Sequence, residues 1–272
     1  MRAAFGIFGD MAINITRWEE AKNRIIGEDR ARVQIGTLSE KTVHAVVKNY
    51  YEPNEDRQEI PIEGKCADIY IAPKCGIDCL DENGTKGRII EIQTRQWEKL
   101  KPKLDLFLPE YDVTLVLPIP DHKQIIWIDP DTGELGKPGP NRKYAKMHTG
   151  FEEVYKIRKY LEHPHLHVVF LYMDMIEYKL LTGRSRDRKR FGAMRYDRIP
   201  TELREEVVLE CKEDYMMFIP GDLPEQFTSA DFAKIAGISA RLTGYVLGVL
   251  RITGNIEQIG KSGRANLYRV KE

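Results

Sequence analysis

The chain holds 272 residues, 31% of them charged and 42% hydrophobic, with cationic and anionic side chains in equal number and no formal net charge. That length fits one large domain or two ordinary ones, and the composition excludes general disorder and a polycation that would coat nucleic acid by bulk charge. No apolar run approaches the ~20 residues of a membrane-spanning helix and no secretory leader is evident, so a cytoplasmic protein with no membrane partner is expected.

Residues 1–34 read as an N-terminal extension, mildly apolar at the start but interrupted by Gly6, Gly9 and Asp10. A helix is predicted from Thr37, its N-cap, to Tyr51, with Val43, Val46, Val47 and Tyr50 as its apolar stripe and Pro53 as its stop. Ile60 to Ile71 offers strand material around Gly64, and Arg88 to Gln93 a second strand. Between them Pro73 to Gly87 forms a loop or extended hairpin with the turn signal Asn83-Gly84. Trp97, Leu100, Leu104, Phe107 and Leu108 recur at helical spacing, with Pro102 kinking that helix or starting a second segment. Val113–Leu117 and Gln124–Ile128 read as two buried strands, residues 150–161 as an amphipathic helix, and Leu166–Leu181 as strand.

Residues 184–224 read as a basic connecting segment. From Arg184 to Arg198 it carries seven Lys or Arg residues against two Asp, with Phe191 and Tyr196 interleaved. Arg188, Lys189 and Arg190 are candidate phosphate contacts, the alternative being a solvated linker. Residues 225–272 look like a winged helix-turn-helix. Thr228 or Ser229 caps a short helix to Ala236, Gly237 makes the turn, and Ser239 opens a second helix with Leu242, Val246, Val249 and Leu250 facing inward. Two strands then flank a tip of Gly260, Lys261, Ser262, Gly263 and Arg264. In that geometry the second helix enters the major groove and the tip follows the backbone, with Arg241, Lys261 and Arg264 as contacts.

The four cysteines, Cys66, Cys75, Cys79 and Cys211, lack paired Cys-x-x-Cys knuckles and read as reduced thiols more readily than as a zinc site. The alternating His163, His165 and His167 read as a turn entering a strand rather than as metal ligands.

The chemistry is expected where carboxylates interrupt strand-like apolar runs, at Asp68 between Ala67 and Ile69, and at Glu91 between Ile90 and Ile92. A buried carboxylate costs several kcal/mol unless it is paired, hydrogen-bonded or bound to a cation. Glu91 and Gln93 share a strand face, and a neighbouring Asp68 strand would let the two acids converge on one hard cation. Glu40 is either a further ligand or the Glu of a Thr37-x-x-Glu40 capping box, and His44 lies one helical turn beyond it.

The order of helix, Asp strand, Glu-x-Gln strand and helix resembles the PD-(D/E)XK nuclease superfamily. The motifs are Gly36 to His44, Ala67-Asp68-Ile69, Ile89 to Thr94 and Leu100 to Leu104, so the likeness covers roughly residues 35–130 of an α/β domain placed at 35–183. It implies a restriction-endonuclease-like mixed sheet flanked by helices. It also implies a Mg2+ (or Mn2+) ion on Asp68, Glu91 and the Ile92 carbonyl, with Glu40 as an accessory acid and Gln93 at the position of the family's lysine. A metal-dependent nuclease acting on double-stranded DNA is the implied activity; separately, a homodimer is a candidate assembly. The alternative, kept open by a neutral Gln93, is a catalytically inactive DNA-binding or regulatory protein on the same scaffold.

Overall fold

The computed structural model describes residues 13–30, 41–76, 79–94, 96–181 and 193–271. A mixed sheet with helices on its faces makes the fold α/β. Its strands β1 (Gln58–Ile62), β2 (Lys65–Ile71), β3 (Arg88–Ile92), β4 (Asp112–Ile128), β6 (Leu166–Leu181) and β7 (Ala193–Leu209) lie side by side in that order, and the two-residue β5 (Arg142–Lys143) pairs with β4. β4 runs parallel to β3 and to β6, whereas β1–β2–β3 and β6–β7 are antiparallel. Parallel neighbours need crossovers. Helix α3 (Lys101–Phe107) lies between β3 and β4, and α4 (Phe151–Val154), continued by the 3-10 turns of Tyr155–Tyr160, lies between β4 and β6.

Two expectations are corrected. The stretches 113–117 and 124–128 belong to one 17-residue strand, because Pro118 and Pro120 are absorbed within it and a register shift follows between Pro120 and Lys123. The 184–224 segment is not a linker throughout, since β7 pairs with β6 from Leu181↔Ala193 to Val168↔Leu209. Leu203 and Leu209 of that strand are buried, and their charged neighbours hide the signal in a single-sequence reading.

Two apolar clusters pack the sheet. Helices α1 (Ile15–Arg30) and α2 (Lys41–Tyr51) bring Trp18, Val43, Val46, Val47 and Tyr50 onto Ile69, Ile90, Ile92, Val116, Val169 and Leu171. In the other cluster, Trp97, Leu104 and Phe107 pack with Ile89, Val113, Leu115, Leu117, Val168 and Phe170.

That second cluster continues without a break into the C-terminal unit, through Tyr215, Phe218, Phe227, Phe232, Val246 and Leu250. The unit comprises β8 (Phe227–Thr228), α5 (Ser229–Ala236), α6 (Ala240–Ile252), β9 (Ile256–Ser262) and β10 (Ala265–Val270), its strands ordered β8–β10–β9. Thr228 and Asp231 form a reciprocal capping box on α5, Ser239 caps α6, and the two helices bend by 109° at Gly237, whose φ of 62° suits a glycine. Among the described residues no single helix is long and apolar enough to cross a membrane.

Candidate functional site

β2 and β3 pair through Ile71↔Arg88, Tyr70↔Ile89 and Ile69↔Ile90, and there the pairing ends. Next in line on the two strands stand Asp68 and Glu91, so the strands part at a pair of carboxylates. Asp68 Oδ2 accepts the backbone N–H of Ile92 at 2.8 Å, and the Glu91 carboxylate accepts the backbone N–H of Asp68. Each acid thereby replaces a ladder hydrogen bond that the fork would otherwise leave unmade. Both are buried, Asp68 at 9% exposure and Glu91 at 1%.

Lys103 and His44 reach this fork from different helices. Lys103 in the first turn of α3 places Nζ 2.9 Å from Glu91 Oε1 and 2.7 Å from Oε2. Buried Trp97, Leu100, Leu104 and Phe107 anchor that helix, and Pro102, at its first turn where a missing N–H costs nothing, fixes where it begins. From α2, His44 Nε2 lies 3.1 Å from Asp68 Oδ2. Its helical neighbours Val43, Val46 and Val47 face the core, while His44 is half-buried at the rim. Glu59, paired to Lys48 and accepting from Cys66 Sγ at 3.2 Å, adds a third acid near Asp68.

The two acids of the fork are not equally easy to ionise. Burial, and then the charge of Asp68, push the Glu91 carboxyl up to about 8, despite Lys103. Burial opposes ionisation of Asp68 too, but its hydrogen bonds to His44 and Ile92 hold its carboxyl below the usual range. The Lys103 ammonium is held above its ordinary value by Glu91, against the opposing effect of burial. The donor set is of a kind that could hold a hard cation. Two adjacent carboxylates beside the main chain at the end of β3 offer only oxygen ligands, and a divalent charge would relieve the burden on Glu91.

Of the other sequence-predicted residues, Ile92 ends β3 with its side chain buried, and Gln93 follows outside the strand. Gln93 N donates to Val116 O at 2.9 Å, and Trp97 Nε1 donates to Gln93 O at 3.3 Å. The positive charge next to Glu91 comes from Lys103, a residue that strand spacing could not reveal. Its signal was the lysine beside Pro102 in the helix that follows. Glu40, Arg188, Lys189 and Arg190 lie outside the described residues. Arg241 reaches Glu152 Oε1 at 2.5 Å, while Lys261 and Arg264 are exposed on the β9–β10 hairpin.

Cys75 and Cys79 are joined in a disulfide, their Cα atoms 6.1 Å apart, which corrects the expectation of four reduced thiols. His163 stands in the turn before β6 as expected, and His165 Nδ1 meets buried Asp112 Oδ1 at 2.7 Å. A second group with metal-ligand character joins Asp121, His122 and Asp174. Its carboxylates already have counter-charges, from Lys143 on Asp121 and from Arg204 on Asp174 at 2.5 Å, so it serves as an ion-pair network that ties β4, β5, β6 and β7 together.

A family model described as Domain of unknown function (DUF8091) matches residues 41–210, a span that holds the whole fork and its two helices. The chain is also similar to an uncharacterized protein of Treponema pallidum (strain Nichols), 29% identical over 241 residues that cover 86% of this chain and 87% of that one. No solved structure matches.

Proposed function

The chain belongs to the DUF8091 family, and for it we propose a divalent-metal-dependent phosphodiester hydrolase of the PD-(D/E)XK kind, acting on DNA. The observation that carries this reading is the fork, where Asp68 and Glu91 emerge side by side from separating strands with Lys103 against Glu91. Helix, hairpin, Glu strand and crossover helix follow one another in the order the resemblance implies.

In this reading Asp68, Glu91 and the Ile92 carbonyl would hold Mg2+ or Mn2+, and the ion would supply Lewis acidity toward a phosphate oxygen and a lowered pKa for the attacking water. Lys103 has two tasks. It hydrogen-bonds both Glu91 oxygens, and with a metal ion bound there its ammonium would be free to stabilise charge on the phosphate. His44 holds Asp68 ionised and oriented. Gln93 hydrogen-bonds without charge, so the task of the family's lysine passes to Lys103. The C-terminal unit, with two helices at 109° and a three-stranded sheet, supports a winged helix that holds the nucleic acid.

Supercoiled plasmid nicking in Mg2+ and in Mn2+, compared with Asp68→Asn, Glu91→Gln and Lys103→Met, tests the reading. Losses of about a hundredfold or more are expected for each acid. A second reading rests on the contact of Lys103 with both Glu91 oxygens, where the lysine stands permanently in place of the cation on a catalytically inactive DNA-binding scaffold. Wild-type protein that binds duplex but leaves plasmid intact with either metal would favour it.

A further inference from the structure

In the sequence reading, α6 enters the major groove. In the folded chain much of its surface is taken up by the protein itself. Val246, Leu247, Val249 and Leu250 lie in the core. The Tyr245 ring packs 5.5 Å from that of Tyr155. Gly248 meets the same tyrosine so closely that a Cβ there would stand 2.5 Å from Tyr155 Cε2. At the start of the helix Arg241 is drawn to Glu152 and lies over the Tyr245 ring, 5.9 Å from its centroid. Lys146 Nζ donates to Gly237 O at 2.6 Å and fastens the turn before the helix.

Little remains that could read a base. The other exposed positions of α6 are Ala240, Gly244 and Arg251. Ala240 and Gly244 carry no donor or acceptor, and Arg251 sits in the last turn, away from the N-terminal residues that contact base edges in this motif.

The hairpin differs in each respect. Gly260, Lys261, Ser262, Gly263 and Arg264 are all exposed, and Gly263 turns the tip with φ 60°. Among the described residues no carboxylate pairs with Lys261 or Arg264. From Ile256 to Val270 the hairpin carries three cations, Lys261, Arg264 and Arg269, against a single carboxylate, Glu257, which Arg269 already holds at 2.6 Å.

Resting on the nucleic-acid reading above, we propose that the C-terminal unit grips nucleic acid with the β9–β10 hairpin, through Lys261 and Arg264 on backbone phosphates, and not by inserting α6 into the groove. The α6 face is the seam that joins the unit to α4 and the turns after it. A hairpin that meets phosphates alone confers affinity without sequence preference.

The test is fluorescence anisotropy of the full chain with two labelled duplexes of unrelated sequence, in EDTA, across a salt series. The expected result is similar affinity for both duplexes. Lys261→Ala/Arg264→Ala should weaken binding roughly tenfold at low salt and reduce the salt slope by about two, since each phosphate contact contributes about one. Arg241→Ala should leave affinity and slope within about twofold of wild type. Unchanged binding by the double variant, a comparable loss in Arg241→Ala, or strong preference for one duplex overturns the hairpin assignment while nucleic-acid binding stands. A wild type that binds neither duplex at low salt overturns both. The substituted side chains are exposed, and circular dichroism checks that the variants fold.

Discussion

The Lys103 ammonium spans both carboxylate oxygens of Glu91, at 2.9 and 2.7 Å, although the carboxylate is almost entirely shut off from solvent. One amine thus anchors α3 to the end of β3 and neutralises the acid that most needs it. Lys103→Met removes that counter-charge and should destabilise the metal-free protein by about 3–5 kcal/mol above about pH 8, where Glu91 is ionised, and by less below it, where Glu91 keeps its proton. Urea unfolding with and without Mg2+ checks this, and the metal should restore part of the loss if the fork binds it.

Glu91 also makes stability depend on pH. Its carboxyl is raised from the ordinary 4.5 to about 8 in the folded chain, so between those values the native state keeps a proton that the unfolded chain releases. The contribution is full below about 4.5 and lost as pH rises toward 8, at no more than about 1.4 kcal/mol per pH unit. Melting temperatures of metal-free wild type should therefore fall relative to Glu91→Gln from pH 5 to pH 8. Parallel curves for the two proteins would refute the assignment.

Gly87 precedes β3 at the end of the β2–β3 pairing opposite the fork. Its φ is 103°, and a Cβ would stand 2.4 Å from the Ile71 carbonyl oxygen, so a side chain would collide with backbone across the β2–β3 pair. Gly87→Ala should cost about 2–4 kcal/mol through strain and a displaced register. If cleavage depends on the fork, nicking should fall with it, measured at a temperature where circular dichroism shows the variant still folded.

The α6 seam gives a paired prediction. Gly248→Ala forces a methyl group against the Tyr155 ring and should destabilise the protein by about 1–3 kcal/mol. Because the obstruction is a side chain, Tyr155→Leu should recover most of the loss in the double variant. A double-mutant cycle in urea measures the coupling, and additive losses would mean that the helix does not lean on Tyr155.

The local elements were legible where a single residue type forces a conformation. Pro53 and Pro102 marked helix limits, and Thr228, Ser239, Gly237 and Gly254 fixed the ends of α5 and α6, because caps and turns act within a few residues. Asp68 and Glu91 stood out because charge inside an apolar run requires a reason. Lys103 did not, since lysines near a helix start are ordinary and only the crossover returns this one to β3. β7 was obscured because its inward residues alternate with Arg and Glu that mimic a solvated segment. The union of 113–117 with 124–128 depends on long partner strands absorbing two prolines, which local propensity counts against. Whether α6 faces solvent or the protein was equally hidden, since Gly244 and Gly248 leave room for either.

The apolar cluster that runs from Phe151 and Phe170 through Phe218 into Phe232 and Val246 bears on where this protein can be cut. The family match ends at residue 210, but hydrophobic packing does not stop there. A chain truncated after Glu210 would keep the acids of the fork while stripping the cover from Phe151, Phe170 and Val154, leaving a sticky surface on the polypeptide meant to be studied. Attempts to isolate residues 1–210 by themselves should yield aggregates, and the C-terminal piece should fare no better, because the two parts share one apolar cluster.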